Sequence, residues 1–291
     1  MLIAIHSKDL PSEVLPWVER TLSALKAEGF GLLTSERLSA WLERHGRGCC
    51  SDGVLRAGDD LSSVDMCVSL GGDGTLLDTL TYIGTAEIPI LGVNFGRLGF
   101  LATTGREDFV ERLVALAKGP IEVEKRTLVR FDSGTDVFGE TSFGLNEFSV
   151  LKRDTSSMIT VHAYLDGDYV NSYWGDGLII ATPTGSTGYS MSCGGPLLMP
   201  NSNSFVMTPV CPHHLTVRPM VVPDDAEIRL EVEGRAEHVL VALDSRSKSV
   251  KPTRDIRIRK EKFAARLVKS DKFTFFDTLR QKLHWGYDSR N

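Results

Sequence analysis

The amino-acid sequence predicts an α/β protein with a Rossmann-like N-terminal domain, a β-rich C-terminal domain and a C-terminal helix that returns to the first domain. Over the first 120 residues, apolar strand patterns alternate with amphipathic helix patterns. This order is typical of a parallel sheet covered by helices. Beyond Pro120, β-branched and alternating runs separated by turns replace the helices, which indicates an all-β region. The last twenty or so residues, "SDKFTFFDTLRQKLHWGYDSRN", again have a helical pattern.

The elements of the first domain follow one another closely. A buried strand over "LIAI" precedes a helix with apolar residues at spacings of three and four, namely Leu15, Val18, Leu22 and Leu25. A serine opens and a glycine closes the helix predicted over "SERLSAWLERHG". The next predicted elements are a strand over "VDMCVSL", a helix over "TLLDTLTYIG", a strand over "IPILGV" and a capped helix over "REDFVERLVALAKG".

Strand patterns dominate the second domain. They are separated by turns such as "DGD" and "PDD" and cover "IEVEKRTLVRF", "MITVHAYLDGDYVNSYW", "GLIIATP", "LTVRPMVV", "AEIRLEVEG", "HVLVAL" and "DIRIRK". We therefore divide the chain into an α/β domain with the glycine loop over residues 1–120, a β-rich domain over 121–260, and a segment over 261–291 expected to pack back on the first domain.

Composition excludes several classes of protein. The net charge of −5 over 291 residues argues against a broad nucleic-acid-binding surface, and no apolar run approaches the roughly 18–20 residues that span a bilayer. The opening "LIAIHS" lacks the features of a signal peptide. The five cysteines lack zinc-type spacing, so reduced thiols and a cytoplasmic location are expected: Cys49, Cys50, Cys67, Cys193 and Cys211.

A glycine loop, "LGGDGTLL" from Leu70 to Leu77, lies between a predicted strand and a predicted helix. Gly71, Gly72 and Gly74 allow close approach of the backbone to a ligand, and the free N–H groups of a first helical turn attract phosphate. Thr75 is expected to cap the helix and to offer a hydroxyl. Asp73 adds a carboxylate, and no lysine follows the loop as in a P-loop. A tight strand-to-helix turn with Asp73 as a polar surface residue is the alternative.

A second glycine-rich stretch, "GDGLIIATPTGSTGYSMSCGGP" from Gly175 to Pro196, follows a predicted β-hairpin. Its backbone N–H groups and hydroxyls suit the lining of a binding cleft. A long β–β connection rich in turn residues is the alternative.

These motifs resemble those of the ATP-dependent NAD kinases. The resemblance runs from about residue 60 to 250. The shared glycine loop alone is not specific, since lipid kinases of the diacylglycerol type also carry it and 6-phosphofructokinases carry a close relative. The motifs occur in the family's order and spacing: "GGDGT" at 71–75, "GVNFGRLGFLA" at 92–102, "LNEF" at 145–148, "DGLIIATPTGSTGYSMSCGGP" at 176–196, "PHHLTVRPMVVP" at 212–223 and "LDSR" at 243–246.

The resemblance implies transfer of the γ-phosphoryl group of ATP to the 2′-hydroxyl of the adenosine ribose of NAD, with Asp73 as general base and a divalent cation, Mg²⁺, assisting. Asn146 and Glu147 are expected at the adenosine portion, Asp176 at the nicotinamide side, and the 187–192 segment at adenine. The resemblance also implies small-molecule substrates and a homodimer or homotetramer. It implies no nucleic-acid or membrane partner. The implied NAD-binding residues are Asp73, Gly74, Asn146, Glu147, Asp176, Thr187, Gly188, Tyr189, Ser190, Met191, Ser192 and Arg246, and the phosphate-binding loop is Gly71, Gly72, Gly74 and Thr75.

Two positions depart from the family pattern. Asp78 stands where many members carry a basic or small residue, so any phosphate contact made there is not expected here. Arg246 stands where many carry glutamine, and it is interpreted either as a surface arginine paired with an acidic neighbour or as a cation facing the nucleotide. His213 and His214 resemble a metal pair but lack a third ligand at suitable spacing, so we assign them no metal.

Two rival functions remain beside NAD kinase. A lipid kinase would share the glycine loop, but "LNEF" and "TPTGSTGYS" and the lack of an amphipathic membrane segment argue against it. A non-catalytic NAD(P)-sensing module would keep the pocket without turnover, and it would gain nothing from Asp73 beside phosphates. The resemblance leaves open NAD against NADH as acceptor and ATP against polyphosphate as donor.

Overall fold

The computed structural model describes residues 1–48, 51–96, 98–153, 157–253 and 255–286. Cys49, Cys50 and the end of the predicted C-terminal segment lie outside the described residues. The chain forms two compact units. The first consists of Met1–Lys125 and the described part of Ala265–Asn291, and the second of Arg126–Ala264.

The N-terminal part alternates strands and helices. Its strands are β1 (Leu2–His6), β2 (Gly31–Ser35), β3 (Gly53–Leu55), β4 (Met66–Leu70), β5 (Ile90–Asn94), β6 (Thr104–Gly105) and β7 (Val123–Arg126). Its α-helices are α1 (Leu15–Ala27), α2 (Glu36–Arg44), α3 (Asp73–Ile83) and α4 (Phe109–Ala117).

Strands are the main regular elements of the second unit, and its described residues include one single-turn α-helix, α5 (Tyr189–Ser192). The strands are β8 (Val129–Asp132), β9 (Phe143–Gly144), β10 (Glu147–Lys152), β11 (Ile159–Leu165), β12 (Asp168–Gly175), β13 (Gly177–Ala181), β14 (Ser204–Val210), β15 (Met220–Pro223), β16 (Ile228–Gly234), β17 (Val239–Leu243), β18 (Arg246–Val250) and β19 (Ile256–Lys260).

The chain then returns to the first unit through β20 (Ala265–Val268) and α6 (Phe275–Leu283). Among the described residues the first unit's sheet has the strand order β3-β2-β1-β4-β5-β20-β7, with β6 paired to β5. The pairs from β3 to β20 are parallel. Strands buried on both faces, such as Met66–Leu70 and Ile90–Asn94, lie at its centre, as expected where helices cover a parallel sheet.

Two antiparallel sheets form the second unit. Their strand orders are β15-β14-β13-β10-β17-β18 and β12-β11-β16-β19-β8-β9 among the described residues. Apolar residues of both sheets, including Phe148 and Val161, pack in one buried cluster, which is the arrangement of a β-sandwich. The predicted fold class, a parallel-sheet α/β domain followed by a β-rich domain with a returning C-terminal helix, is therefore confirmed.

Local sequence signals account for the start of α2 but not for that of α4. Ser35 caps α2, since its hydroxyl accepts a hydrogen bond from the Leu38 N–H at 3.4 Å. The cap predicted for the helix over "REDFVERLVALAKG" is not formed by a side chain, because Asp108 at the N-cap of α4 accepts no such bond.

Within the described part of the chain, no helix combines the length and apolar character needed to cross a bilayer.

Candidate functional site

The glycine loop joins β4 to α3 at the carboxyl end of a central parallel strand. Gly71 has a φ of 149°, and a methyl group on it would lie 2.2 Å from Thr75 Oγ1, so this position requires glycine. Gly72 and Gly74 are exposed, and a methyl group on either would meet nothing within 4 Å. The chain's own packing does not demand glycine there, and open space lies outside the first turn of α3.

The first turn of α3 provides backbone donors for an anion. The helix begins at Asp73, and its N-cap, Gly72, has no side chain that could accept a capping hydrogen bond. The prediction that Thr75 caps this helix is wrong: the bend at the two glycines starts the helix before Thr75, and the Thr75 N–H bonds to the Gly72 carbonyl at 2.9 Å. An uncapped helix N-terminus, with its partial positive charge, suits a phosphate group.

Three backbone N–H groups hold the Asp73 carboxylate. Phe100 N–H donates to Oδ2 at 2.9 Å, and the N–H groups of Leu101 and Ala102 both donate to Oδ1 at 3.0 Å. A carboxylate oxygen has about two lone pairs, so Oδ1 is fully used and Oδ2 keeps one acceptor site. The side chain is 29% exposed. Asp73 is thus fixed in position with one oxygen open to a ligand.

Glycines in "GVNFGRLGFLA" allow the close approach that these three hydrogen bonds to Asp73 require. A methyl group on Gly99 would lie 1.9 Å from Asp73 Oδ1, and one on Gly92 would lie 2.7 Å from Ala102 Cα. The side-chain amide of Asn94 also donates to the Ala102 carbonyl at 3.1 Å. Sequence reasoning noted this motif but missed that its turn binds Asp73. The two glycines that allow the close approach were the available signal.

Lys282 is a second residue that sequence reasoning missed. It lies near the end of α6, and its Nζ is 3.7 Å from Asp73 Oδ2 and 5.2 Å from the centre of the Phe100 ring. The Phe275 ring of the same helix is 6.4 Å from that of Phe100. Helix α6 therefore packs on the segment that holds Asp73.

Asp78, one of the two departures from the family pattern, is the centre of an ion cluster. Its Oδ2 is 2.9 Å from His6 Nε2 and 2.7 Å from Arg37 Nη1, and Lys8 Nζ is 3.8 Å from its Oδ1. Burial alone would raise the pKa of Asp78, but the hydrogen bond with His6 and the neighbouring positive charges lower it on balance. Asp78 therefore ties α3 to β1 and α2.

Glu147 is a partly exposed residue that carries one buried carboxyl oxygen, Oε2. Its Oε2 has no hydrogen-bond partner among the described residues. Burial, and then the negative charge of Asp244, raise its pKa to about 8. A methyl group on Gly188 would lie 3.4 Å from Oε2, and within the described part of the chain the buried Thr184 Oγ1 also lacks a partner. Buried polar groups are rarely left unsatisfied unless a ligand or water serves them.

Asp244 organises the turn before Glu147. Its carboxylate accepts hydrogen bonds from the N–H groups of Leu145, Asn146 and Glu147 at 2.9, 2.7 and 3.2 Å. Burial raises the pKa of Asp244, and those three bonds oppose the rise. Sequence reasoning included this residue in the "LDSR" motif but gave it no role. Its effect is to hold the backbone of the turn that carries Asn146 and Glu147.

The two predicted NAD-binding stretches of the second unit meet in space. The Thr182 hydroxyl donates to the Leu145 carbonyl at 2.5 Å and accepts from the Gly185 N–H at 3.1 Å. A methyl group on Gly185 would lie 2.0 Å from the Asn146 carbonyl oxygen. The "LNEF" turn and the glycine-rich stretch therefore form one wall, with Asn146 and Glu147 beside Gly185 and Gly188.

The residues predicted to line the adenine pocket differ in accessibility. Tyr189 is 39% exposed, so its ring is available, whereas Ser190 is fully buried and its hydroxyl is 2.8 Å from Thr208 Oγ1. Ser190 therefore holds the turn against β14, and the Thr187 hydroxyl donates to a carbonyl of its own turn at 3.2 Å. The rest of the segment is at least partly exposed: Gly188, Met191 and Ser192.

Asp176 and Arg246 each have protein partners. Asp176 Oδ1 forms an ion pair with Lys152 Nζ at 2.7 Å, at the junction of β12 and β13. Arg246 donates through both terminal nitrogens to the carbonyls of Thr141 and Phe143. The guanidinium thus binds backbone oxygen atoms of a neighbouring segment, and its positive charge also opposes the rise that burial causes in the pKa of the nearby acidic Asp244.

No metal cage is found among the described residues, which contain no group of three or more histidine, cysteine, aspartate or glutamate side chains placed to hold an ion. The His213 ring lies tilted against that of Trp174, with ring centres 4.3 Å apart, and the His213 backbone N–H donates to the Trp174 carbonyl at 2.8 Å. This histidine packs against an aromatic ring.

Two family models match the chain. The one described as "ATP-NAD kinase N-terminal domain" matches residues 18–121, and the one described as "ATP-NAD kinase C-terminal domain" matches residues 145–270. The first region contains the glycine loop and the second contains Glu147 and the glycine-rich stretch. Together they define the chain as an enzyme of the kinase class, a phosphotransferase.

Curated relatives identify the family. The chain is 44% identical over 292 residues to the NAD kinase of Cytophaga hutchinsonii, with all of both chains covered. It is 43% identical over 265 residues to the NAD kinase of Bacteroides fragilis, covering 86% of this chain and 91% of that one. The chain belongs to the NAD kinase family.

Solved structures agree in fold. An NAD kinase from Archaeoglobus fulgidus in complex with ATP superposes with a TM-score of 0.74 at 30% identity, covering 98% of each chain. Yeast NADH kinase complexed with NADH superposes with a TM-score of 0.88 at 20% identity, covering 99% of this chain and 88% of that one. The second likeness concerns the fold alone.

Proposed function

We propose that this chain transfers the γ-phosphoryl group of ATP to the 2′-hydroxyl of the adenosine ribose of NAD, with Asp73 as general base. One observation carries the proposal. Asp73 is clasped by three N–H groups, at 2.9–3.0 Å, and Oδ2 keeps one acceptor site beside a helix N-terminus that suits phosphate. A carboxylate with one free lone pair in that position is suited to accept the proton of a hydroxyl that attacks phosphorus.

The proposed reaction balances as a single displacement. The 2′-oxygen of NAD forms a bond to the γ-phosphorus of ATP, and the bond from that phosphorus to the β,γ-bridging oxygen breaks. The 2′-hydroxyl proton passes to Asp73 Oδ2, and the electron pair of the broken bond leaves with ADP. Because a sugar hydroxyl is a weak nucleophile at neutral pH, the fixed base contributes by accepting its proton as the new bond forms.

The open first turn of α3 is proposed to bind the phosphates of the donor. Gly72 and Gly74 leave space for close approach, and the A. fulgidus relative was solved in complex with ATP. A divalent cation such as Mg²⁺ would spread the phosphate charge. Since the described residues offer no three-ligand cage for it, the ion would enter with ATP as part of the substrate. No step of the proposed transfer is assigned to it.

The Glu147 pocket is proposed to bind the adenosine portion of NAD. The unpartnered Oε2 and the side-chain amide of Asn146 can bind ribose hydroxyls or the adenine edge. The exposed ring of Tyr189 offers a face to adenine. Asp176, already paired with Lys152, is proposed to contact the nicotinamide side.

Incubation of the protein with ATP, Mg²⁺ and NAD tests the proposal directly. We expect NADP, detected with an NADP-specific dehydrogenase, together with an equal amount of ADP. A 2′-phosphate in the ³¹P spectrum of the product would establish the position of transfer. Phosphorylation of diacylglycerol vesicles in place of NAD would identify a lipid kinase, and tight NAD binding without any ADP would identify a sensing module.

The assembly and location remain part of the proposal. A homodimer or homotetramer in the cytoplasm is expected, and light scattering of the purified protein tests the oligomeric state. A monomeric mass at micromolar concentration would contradict that expectation.

A further inference from the structure

The glycine loop needs a cation that its own sequence does not provide. No lysine or arginine follows the loop within α3. Arg37 and Lys8, both near α3, lie beside the Asp78 carboxylate at 2.7 and 3.8 Å. A triphosphate beside Asp73 would therefore meet backbone dipoles but no side-chain charge from this helix. Phosphoryl-transfer sites usually place a lysine or arginine on the transferred group.

The C-terminal helix α6 brings such a cation to the loop. Lys282 Nζ is 3.7 Å from Asp73 Oδ2, which is an ion pair but too long for a hydrogen bond. The side chain is 33% exposed. The described residues contribute no hydrogen bond to this ammonium group, which has three donors. Its donors are therefore available to a ligand that binds beside Asp73.

The position of Lys282 is fixed by packing along α6. Thr274 and Asp277 form a reciprocal capping box at the start of this helix, and Leu279 is buried on its inner face. The Lys282 ammonium group also lies over the Phe100 ring, whose backbone N–H binds Asp73. Lys282 of α6 therefore contacts both Phe100 and Asp73, and Phe100 in turn binds Asp73 through its backbone N–H.

We propose that Lys282 binds the phosphate chain of the phosphoryl donor and neutralises the charge that builds up on the transferred group. This inference rests on the proposed function, because it assigns a role at the same site. The ammonium group stands at ion-pair distance with its donors unused, as a phosphate ligand requires.

Substitution of Lys282 by methionine removes the charge and keeps the aliphatic stem over Phe100. We expect the KM for ATP to rise and the kcat/KM for ATP to fall by roughly 10–100-fold, the loss of one charge-assisted hydrogen bond. The KM for NAD should change less than about twofold, since the NAD pocket is untouched. Lys282→Arg should recover most of the loss because it retains a cation.

Arg280→Met is the matched control. It removes the same charge from the same helix, but Arg280 pairs with Asp277 at 2.6 Å and is not among the residues assigned to the site. It should leave both KM values unchanged. Equal KM values for ATP in Lys282→Met and the wild type, or equal changes for ATP and NAD, would overturn the role of Lys282. Lys282→Gln is the second uncharged variant if the methionine form does not fold.

Titration of ATP by calorimetry separates this inference from the proposed function. If the wild type forms no NADP, the proposed function fails, yet ATP affinity can still be compared between wild type and variant. Weaker ATP binding in Lys282→Met supports the phosphate contact whatever the acceptor is. Identical ATP binding by both proteins refutes it.

Discussion

Two carboxyl groups, one in each unit, differ in how far the protein itself satisfies them. Asp73 accepts three backbone hydrogen bonds, whereas Glu147 Oε2 is buried without a partner among the described residues. The Asp73 side chain cannot move without breaking the turn at Gly99. Glu147 instead leaves a buried acceptor that only a bound molecule or water can satisfy. The fold thus fixes the carboxylate that we propose as the general base, and it leaves unsatisfied the carboxyl group that we propose to recognise NAD.

Among the substitutions that test this contrast, Asp73→Asn is expected to have the largest effect. We expect turnover to fall by roughly 10²–10⁴-fold because the proton acceptor is lost. The structure adds a second cost. An asparagine amide would place a donor where an oxygen now accepts from a backbone N–H, which lowers the free energy of unfolding by roughly 1–3 kcal/mol. Turnover at saturating substrates and urea unfolding measure the two effects.

Asp65→Asn is the matched control for that variant. Asp65 also accepts a backbone hydrogen bond, from the Leu2 N–H at 2.7 Å, but it lies before β4 and away from the glycine loop. It should lose some stability and keep full turnover per folded molecule. Near-normal turnover in Asp73→Asn would make Asp73 a structural residue only.

Glu147→Gln tests whether the buried Glu147 carboxyl oxygen is unsatisfied, and the quantity measured is the free energy of unfolding. Folding raises the pKa of Glu147 from 4.5 to about 8, so the folded state holds a proton that the unfolded state has lost between those values. The free energy of unfolding of the wild type should therefore fall as pH rises from about 4.5 to about 8. The glutamine variant lacks this term and should exceed the wild type in stability at pH 9 by on the order of a few kcal/mol.

Urea unfolding of both proteins at pH 4, 6.5 and 9 measures that difference. We expect the two stabilities to be close at pH 4 and to diverge at the higher values. A constant difference across the range would mean that Glu147 is already ionised in the folded protein at neutral pH, and that it has a partner.

Glu147→Gln also tests the proposed role of Glu147 in binding NAD. If the ionised carboxylate binds ribose hydroxyls, the affinity of the wild type for NAD should rise as pH increases through about 8, and binding near pH 7 should release a proton. At pH 9 Glu147→Gln should bind NAD roughly tenfold more weakly, since charge-assisted hydrogen bonds are about twice as strong as neutral ones. Calorimetry in two buffers of different ionisation enthalpy counts the proton.

Glu231→Gln is a suitable control, because Glu231 lies in the same unit and is paired with Arg229. It should leave the pH dependence of NAD binding unchanged. If wild-type affinity falls with pH instead, Glu147 binds NAD as a protonated donor, and the contrast with Asp73 becomes one of protonation as well as of partners.

Arg246→Gln is expected to have the smallest effect. Both terminal nitrogens donate to backbone carbonyls of Thr141 and Phe143, so we expect a loss of about 1 kcal/mol in stability. NAD and NADP affinities should fall by the same factor, within about twofold, as expected for a residue that supports the fold. Titration of both dinucleotides at low and high salt checks this. A larger, salt-sensitive loss for NADP would place the guanidinium at the 2′-phosphate.

Local patterns predicted most of the fold. Helix spacing located α1, a serine and a glycine at the two ends located α2, and strand alternation located the hairpin of β11 and β12. The run "IEVEKRTLVRF" was treated as one strand region, but it divides into β7 and β8, which pair in different sheets. Short-range alternation cannot indicate which sheet a strand joins, because that depends on partners elsewhere in the chain.

The site was predictable only where its chemistry is local. The glycines of 71–74 specify a turn by their own backbone preferences, so the loop was evident. Asp73 is clasped by residues 100–102, Asp244 binds the turn at 145–147, and Lys282 comes from the far end of the sequence. These partners are set by tertiary packing. Asp78 shows the same limit, since its role depends on His6 and Arg37.

The position of β20 has a consequence for how the protein is made. This strand lies between β5 and β7 in the first sheet, although it follows every strand of the second unit in the chain. During synthesis the ribosome therefore releases a first unit that lacks an internal strand until the second unit has emerged. Until then, the edge of β5 that pairs with β20 is exposed, and its free backbone groups can pair with the wrong strand. The β-sandwich can fold first, so the unit translated first is the last to be completed.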